Sequence, residues 1–148
     1  MLTDTLQQFF ERDLNKLKQE IAAYTNEKSL WEIDKNIANS GGNLCLHLIG
    51  NLNWFIGATF GKTGYVRNRE LEFSQKSVPR QELIRMIDET IPVVKKGLEA
   101  LTEEDLKADY PIIVFEKATT TEQFLVHLTT HLSYHLGQIN YHRRLLDI

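Results

Sequence analysis

The chain has a single cysteine, Cys45, which excludes an internal disulfide and fits a reducing, cytoplasmic setting. It has no excess of positive charge. Lys and Arg number 17 against 20 Asp and Glu, for a net charge of -3, which argues against a nucleic-acid-binding face. The "HRR" at residues 142–144 is a small basic patch, and at a helix end it complements the helix dipole. Long apolar runs are also missing. The richest stretch, "LCLHLIGNLNWFIG", is broken by His47, Gly50, Asn51 and Asn53, so no membrane span is expected. The opening "MLTDTLQQFFERDL" turns polar and acidic at once, and no signal peptide is expected from it. Nor is there a glycine-rich phosphate loop, a nucleophile elbow or a Cys-x-x-Cys pair.

What remains is an ordinary globular composition, 42% apolar and 25% charged, in 148 residues. That length suits one domain, residues 1–148, with a sizeable core.

The apolar spacing is helical. Leu6, Phe10, Leu14, Leu17, Ile21 and Tyr24 step by three or four residues and define one face of a first helix, about residues 3–24. A second helix is expected from "SGGN" to about Phe60. A third opens at "SVPRQEL", with Pro79 in its first turn and Leu83, Ile87, Ile91, Val94, Leu98 and Leu101 on one face. Pro92 lies inside it and predicts a local bend. The fourth opens at "TTTEQF", where Thr119 with Glu122, or Thr120 with Gln123, can cap it, and runs to about Leu146. The connections are long, and "PIIVF" in the last of them reads as a short extended segment. Four amphipathic helices without a strand pattern predict an all-α, four-helix bundle.

Four of the five histidines, His127, His131, His135 and His142, fall in "HLTTHLSYHLGQINYHRRLL". At about 100° per residue, and with His131 at zero, His127 lies near -40°, His135 near +40° and His142 near +20°. All four share the inward face of helix four. Two imidazoles at i and i+4, roughly 6 Å apart, can converge on one ion. His127 with His131 has that spacing, and so does His131 with His135. His142 lies about 10 Å beyond His135 and cannot join without distortion. A two-histidine site is incomplete, and the fifth histidine, His47, sits mid-way along helix two. Since bundles build sites from facing helices, His47 plus one His-x-x-x-His pair gives three neutral nitrogen donors and an open position. A histidine-lined polar core is the alternative that the same spacing allows.

Other metal chemistries fit less well. His-Glu-x-x-His is absent, and the positions three before each histidine hold Leu44, Phe124, Leu128, Leu132 and Ile139, so no Glu-x-x-His di-iron pattern is present. Asn51, one turn after His47, and Gln138, three after His135, are placed to orient an imidazole or hold substrate.

With "HLTTHLSYHLGQI" and "NLCLHLIGNL", the chain resembles the DinB/YfiT-like superfamily, whose helix four carries H-x-x-x-H-x-x-x-H-x-G-Q and whose helix two carries a histidine. It looks closest to a branch of unknown function. The resemblance implies a divalent metal, zinc, nickel, iron or manganese, on His47, His131 and His135. His127 would lie outside the ligand set and join Asn51 and Gln138 as a candidate to orient a ligand or hold substrate, and Gly137 with Gln138 match the "GQ". It further implies a homodimer and chemistry on low-molecular-weight thiols. The expected function is therefore a metal-dependent enzyme that activates a thiol or water, a thiol S-transferase or a hydrolase, acting on a small molecule. The alternatives are a non-catalytic metal- or ligand-binding bundle and an interaction module with structural histidines. No nucleic-acid or membrane partner is expected.

Overall fold

Apolar residues at helical spacing dominate this sequence, and a computed structural model describing residues 1–148 is accordingly all-helical, with no strand. Four long helices carry it. They are α1 (Leu2–Ala23), α2 (Gly41–Leu52), α4 (Arg80–Glu99) and α6 (Thr121–Leu146). Helix α1 packs against α4 and α6, and α2 packs against the same two from the other side. The predicted α1 stripe, Leu6 through Tyr24, is buried along its whole length. Each such side chain contributes about 1.5–3 kcal/mol on burial, far more than helix propensity differences supply. No helix is long and apolar enough to cross a membrane.

Helix α2 differs from the others. Every residue from Gly41 to Leu52 is buried, so it has no solvent face and its polar residues must find partners inside. Ser40 caps it by accepting from the Asn43 N–H. At its C-terminal end the helix widens into a π turn, Asn53–Ala58. Such wide turns strand backbone carbonyls, and the buried Tyr110 hydroxyl donates to Phe55 O at 2.6 Å. Gly97 of α4 lets the two elements touch, because a Cβ there would lie 2.6 Å from Ile56 Cγ2.

The connections contain more structure than their turn-rich composition suggests. A 3₁₀ turn, Glu27–Trp31, occupies the first, and short helices α3 (Arg69–Ser74) and α5 (Glu103–Lys107) occupy the second and third. The "PIIVF" segment is not a strand. Only an isolated bridge, Asp109 with Thr120, forms nearby, because no neighbouring strand offers a ladder. The first connection is tied to the end of α6. Tyr24 Oη lies 2.7 Å from His142 Nδ1, His142 Nε2 lies 2.9 Å from Glu32 O, and Asp147 accepts from the Thr25 and Asn26 N–H groups. His142 is thus a hydrogen-bonded core residue.

Candidate metal centre

His47 comes from the fully buried α2, and His131 and His135 come from successive turns of α6 packed beside it. Their Nε2 atoms face one another. His131 Nε2 lies 3.1 Å from His47 Nε2 and 3.1 Å from His135 Nε2, and one nitrogen of each ring lies within 4.8 Å of the others. Two ligand bonds of about 2.0–2.1 Å, opened near a tetrahedral or right angle, put their nitrogens about 2.8–3.4 Å apart. These three rings can therefore hold a metal ion.

Proton placement supports the fit. Glu72, from α3, accepts from His47 Nδ1 at 3.0 Å, and Gln138 Oε1 accepts from His135 Nδ1 at 2.7 Å. Both acceptors hold the ring proton on Nδ1 and leave a bare lone pair on Nε2. His131 Nε2 meets both lone pairs, while its Nδ1 is buried without a partner. With the His131 proton on Nε2, one contact is satisfied by donation and the second is poorly served. With it on Nδ1, three lone pairs point at each other. A cation at the convergence point removes the conflict in the second case.

Burial disfavours the charged form of the two α6 rings. Burial, followed by the neighbouring His135, His47, His127 and Arg67, pushes His131 down to about 3. Burial also lowers His135, against an upward pull from the Gln138 hydrogen bond and with a smaller downward push from His47. Glu72 is buried, which alone would raise its carboxyl. Hydrogen bonds from His47 and Arg67 outweigh that and hold it below the usual carboxylate range. Arg67 grips the carboxylate with both Nε and Nη2, each at 2.9 Å.

Comparison with known families gives one match, which covers almost the whole chain. The family described as "Protein of unknown function (DUF1572)" matches residues 2–147. The chain belongs to this family. No curated protein matches it at a significant level. The DUF1572 assignment brings no activity with it, so the chemistry rests on the site.

Gln138 touches His135. Asn51 is buried, but its Oδ1 has no hydrogen-bond partner, and it makes no hydrogen bond to an imidazole. His127 stands apart from the three-ring group. Its ring centroid is 6.1 Å from that of His131 and packs edge-on to Phe115 at 4.8 Å. Sequence reasoning missed Glu72 and Arg67, which lie in what reads as a plain connection. The signal available was Gly50, a residue without a side chain three positions after His47 and directly after the apolar pair Leu48 and Ile49. Beside His135 a cleft of about 520 Å³ opens between α6 and residues 36–39. Asn36, Asn39, Tyr134, Gln138 and Tyr141 help to line it, and its lining has no Lys, Arg, Asp or Glu.

Proposed function

We propose that this DUF1572 chain is a metal-dependent enzyme of the DinB/YfiT-like kind, a single four-helix bundle domain over residues 1–148. In this reading His47, His131 and His135 hold one divalent ion. The supporting observation is the convergence of three Nε2 atoms while Glu72 and Gln138 occupy the Nδ1 atoms of two of the rings. Bound on three neutral imidazoles, the ion would supply an undiminished double positive charge, enough to favour a thiolate or hydroxide near neutral pH. Zinc, nickel, iron and manganese all accept imidazole, so the donor set alone leaves the metal open.

The chain's own residues orient the His47 and His135 rings, disfavour charge on His131 and His135, and provide the neighbouring cleft. The absence of charged side chains in the cleft lining favours an uncharged, partly apolar small molecule with hydrogen-bonding groups. Thiol chemistry is preferred to hydrolysis. Glu72 is the buried carboxylate beside the site, and both its oxygens are engaged by Arg67 and His47, which leaves it ill-placed to take a proton from water. An S-transferase using a low-molecular-weight thiol follows from this preference.

Metal analysis of untagged protein tests the site. About one equivalent is expected in the wild type, with loss in His47→Ala and in His131→Ala. Metal-dependent transfer of a thiol to an electrophile would support the enzyme. Metal binding without turnover across a broad thiol panel would instead favour a non-catalytic metal-binding bundle. We further propose a homodimer, tested by sedimentation of the wild type across a range of concentrations. A cytoplasmic setting belongs to the same reading.

A further inference from the structure

Helix α3 is only six residues long, yet α2 devotes three positions of one face to it. Asn43, His47 and Gly50 follow the i, i+4, i+7 spacing of a single helical stripe. The Asn43 side-chain amide donates to Glu72 O at 3.0 Å and to Gln75 O at 2.8 Å, which clamps the backbone of α3. The His47 ring packs on Phe73 at 4.8 Å between centroids and meets the Glu72 carboxylate through Nδ1. Gly50 is the notch that admits that carboxylate. A Cβ on Gly50 would lie 1.9 Å from Glu72 Oε2 and 2.6 Å from Cδ, closer than any packed arrangement tolerates. Arg67 then closes over both carboxylate oxygens, and its guanidinium carbon sits 5.5 Å from the Phe55 ring centroid.

We propose that Glu72 is a positioning residue that sets the metal affinity of the centre through His47, that the Gly50 notch seats it, and that Arg67 moderates it. This rests on the metal reading above. Three distinct devices, the Asn43 clamp, the missing side chain at residue 50 and the Arg67 fork, all fix one carboxylate against one imidazole N–H. An ionised carboxylate on Nδ1 fixes the tautomer and ring orientation and makes Nε2 a stronger donor. Arg67 draws part of that negative charge to itself. The two residues of the ion pair therefore act on the centre with opposite sign, which a merely structural ion pair would not do.

The test is zinc affinity of the full chain at pH 8, by chelator competition, with cobalt absorption as a record of the ligand geometry. Glu72→Gln is expected to weaken zinc binding about 10–100-fold. Gly50→Ala, which keeps every ligand and Glu72 itself, should weaken it comparably. In a Glu72→Ala background the same Gly50→Ala change should add little, because the clashing carboxylate is gone. Arg67→Gln should bind zinc as tightly as wild type or more tightly.

Wild-type affinity in both Glu72→Gln and Gly50→Ala would overturn the assignment. So would a loss in Arg67→Gln as large as in Glu72→Gln, since the pair would then act only as a structural strut. Should Glu72→Gln fail to fold, the sign of the Arg67→Gln change decides on its own. If wild-type protein takes up no zinc, the metal reading itself fails and this proposal with it. If wild type binds and the Glu72 variants bind equally, only this proposal falls.

Discussion

Tyr24→Phe should destabilise the protein through a single stranded lone pair. Glu32 O can only accept, so the His142 proton must sit on Nε2, which lies 2.9 Å away. Nδ1 is then a bare acceptor, served by the Tyr24 hydroxyl at 2.7 Å. Tyr24 and His142 are 1% and 4% exposed, so the pair is almost fully buried. Phenylalanine keeps the ring and removes only the oxygen. The vacated space is smaller than the roughly 30 Å³ share of a water molecule. Gly41 crowds it, because a Cβ there would lie 2.3 Å from Tyr24 Oη.

An unsatisfied buried acceptor costs about 1–3 kcal/mol. With an unfolding entropy of about 2.1 cal/mol/K per residue over a chain of this length, that is a fall in Tm of about 3–10 °C. Urea unfolding and calorimetry of wild type and Tyr24→Phe, both metal-free, measure it. Zinc affinity should not change, because the pair is separate from the three-histidine group. A loss below about 0.5 kcal/mol would refute the tautomer assignment and the stranded-acceptor reasoning together.

Acid should weaken the metal-free fold through His131. Its folded value is about 3, below its ordinary value of 6.5, so between those limits the unfolded chain binds the extra proton. Stability is therefore full above the ordinary value and is lost as pH falls towards the folded one. Partial exposure limits the effect to at most a few kcal/mol, readable as the pH dependence of the urea midpoint. Asn43→Leu should leave the Glu72 and Gln75 carbonyls without their donors, at about 2–4 kcal/mol, and speed amide exchange in Arg69–Ser74 first. Tyr110→Phe should cost about 1–3 kcal/mol in the same urea assay by freeing Phe55 O in the π turn.

Helices α1 and α4 were legible because each commits a periodic apolar face to the core, as the α1 stripe does without exception. The grouping of His47 with His131 and His135 was legible for a related reason. Helical spacing places i and i+4 side by side, and a helix-two histidine is the obvious partner across a packed pair. Glu72 and Arg67 were not legible. Glu72 lies on a six-residue helix whose pattern is too short to show a period, Arg67 lies in the connection just before it, and Glu72 is buried through tertiary hydrogen bonds rather than by its neighbours in sequence. The extended reading of "PIIVF" failed because β-branched residues mark a strand only where a neighbouring edge exists to receive it. The π turn left no sequence sign, since its extra residue changes backbone bonding and not composition.

That one widened turn closes the C-terminal end of a buried rod. Upstream of it, Asn43, His47 and Gly50 keep a single bearing towards α3 and the imidazoles. Within the turn itself, Phe55 lies edge-on to Phe124, with ring centres 5.1 Å apart. The aromatic contacts of the turn and the polar contacts that aim the ligand-bearing helix therefore involve separate residues of one continuous segment.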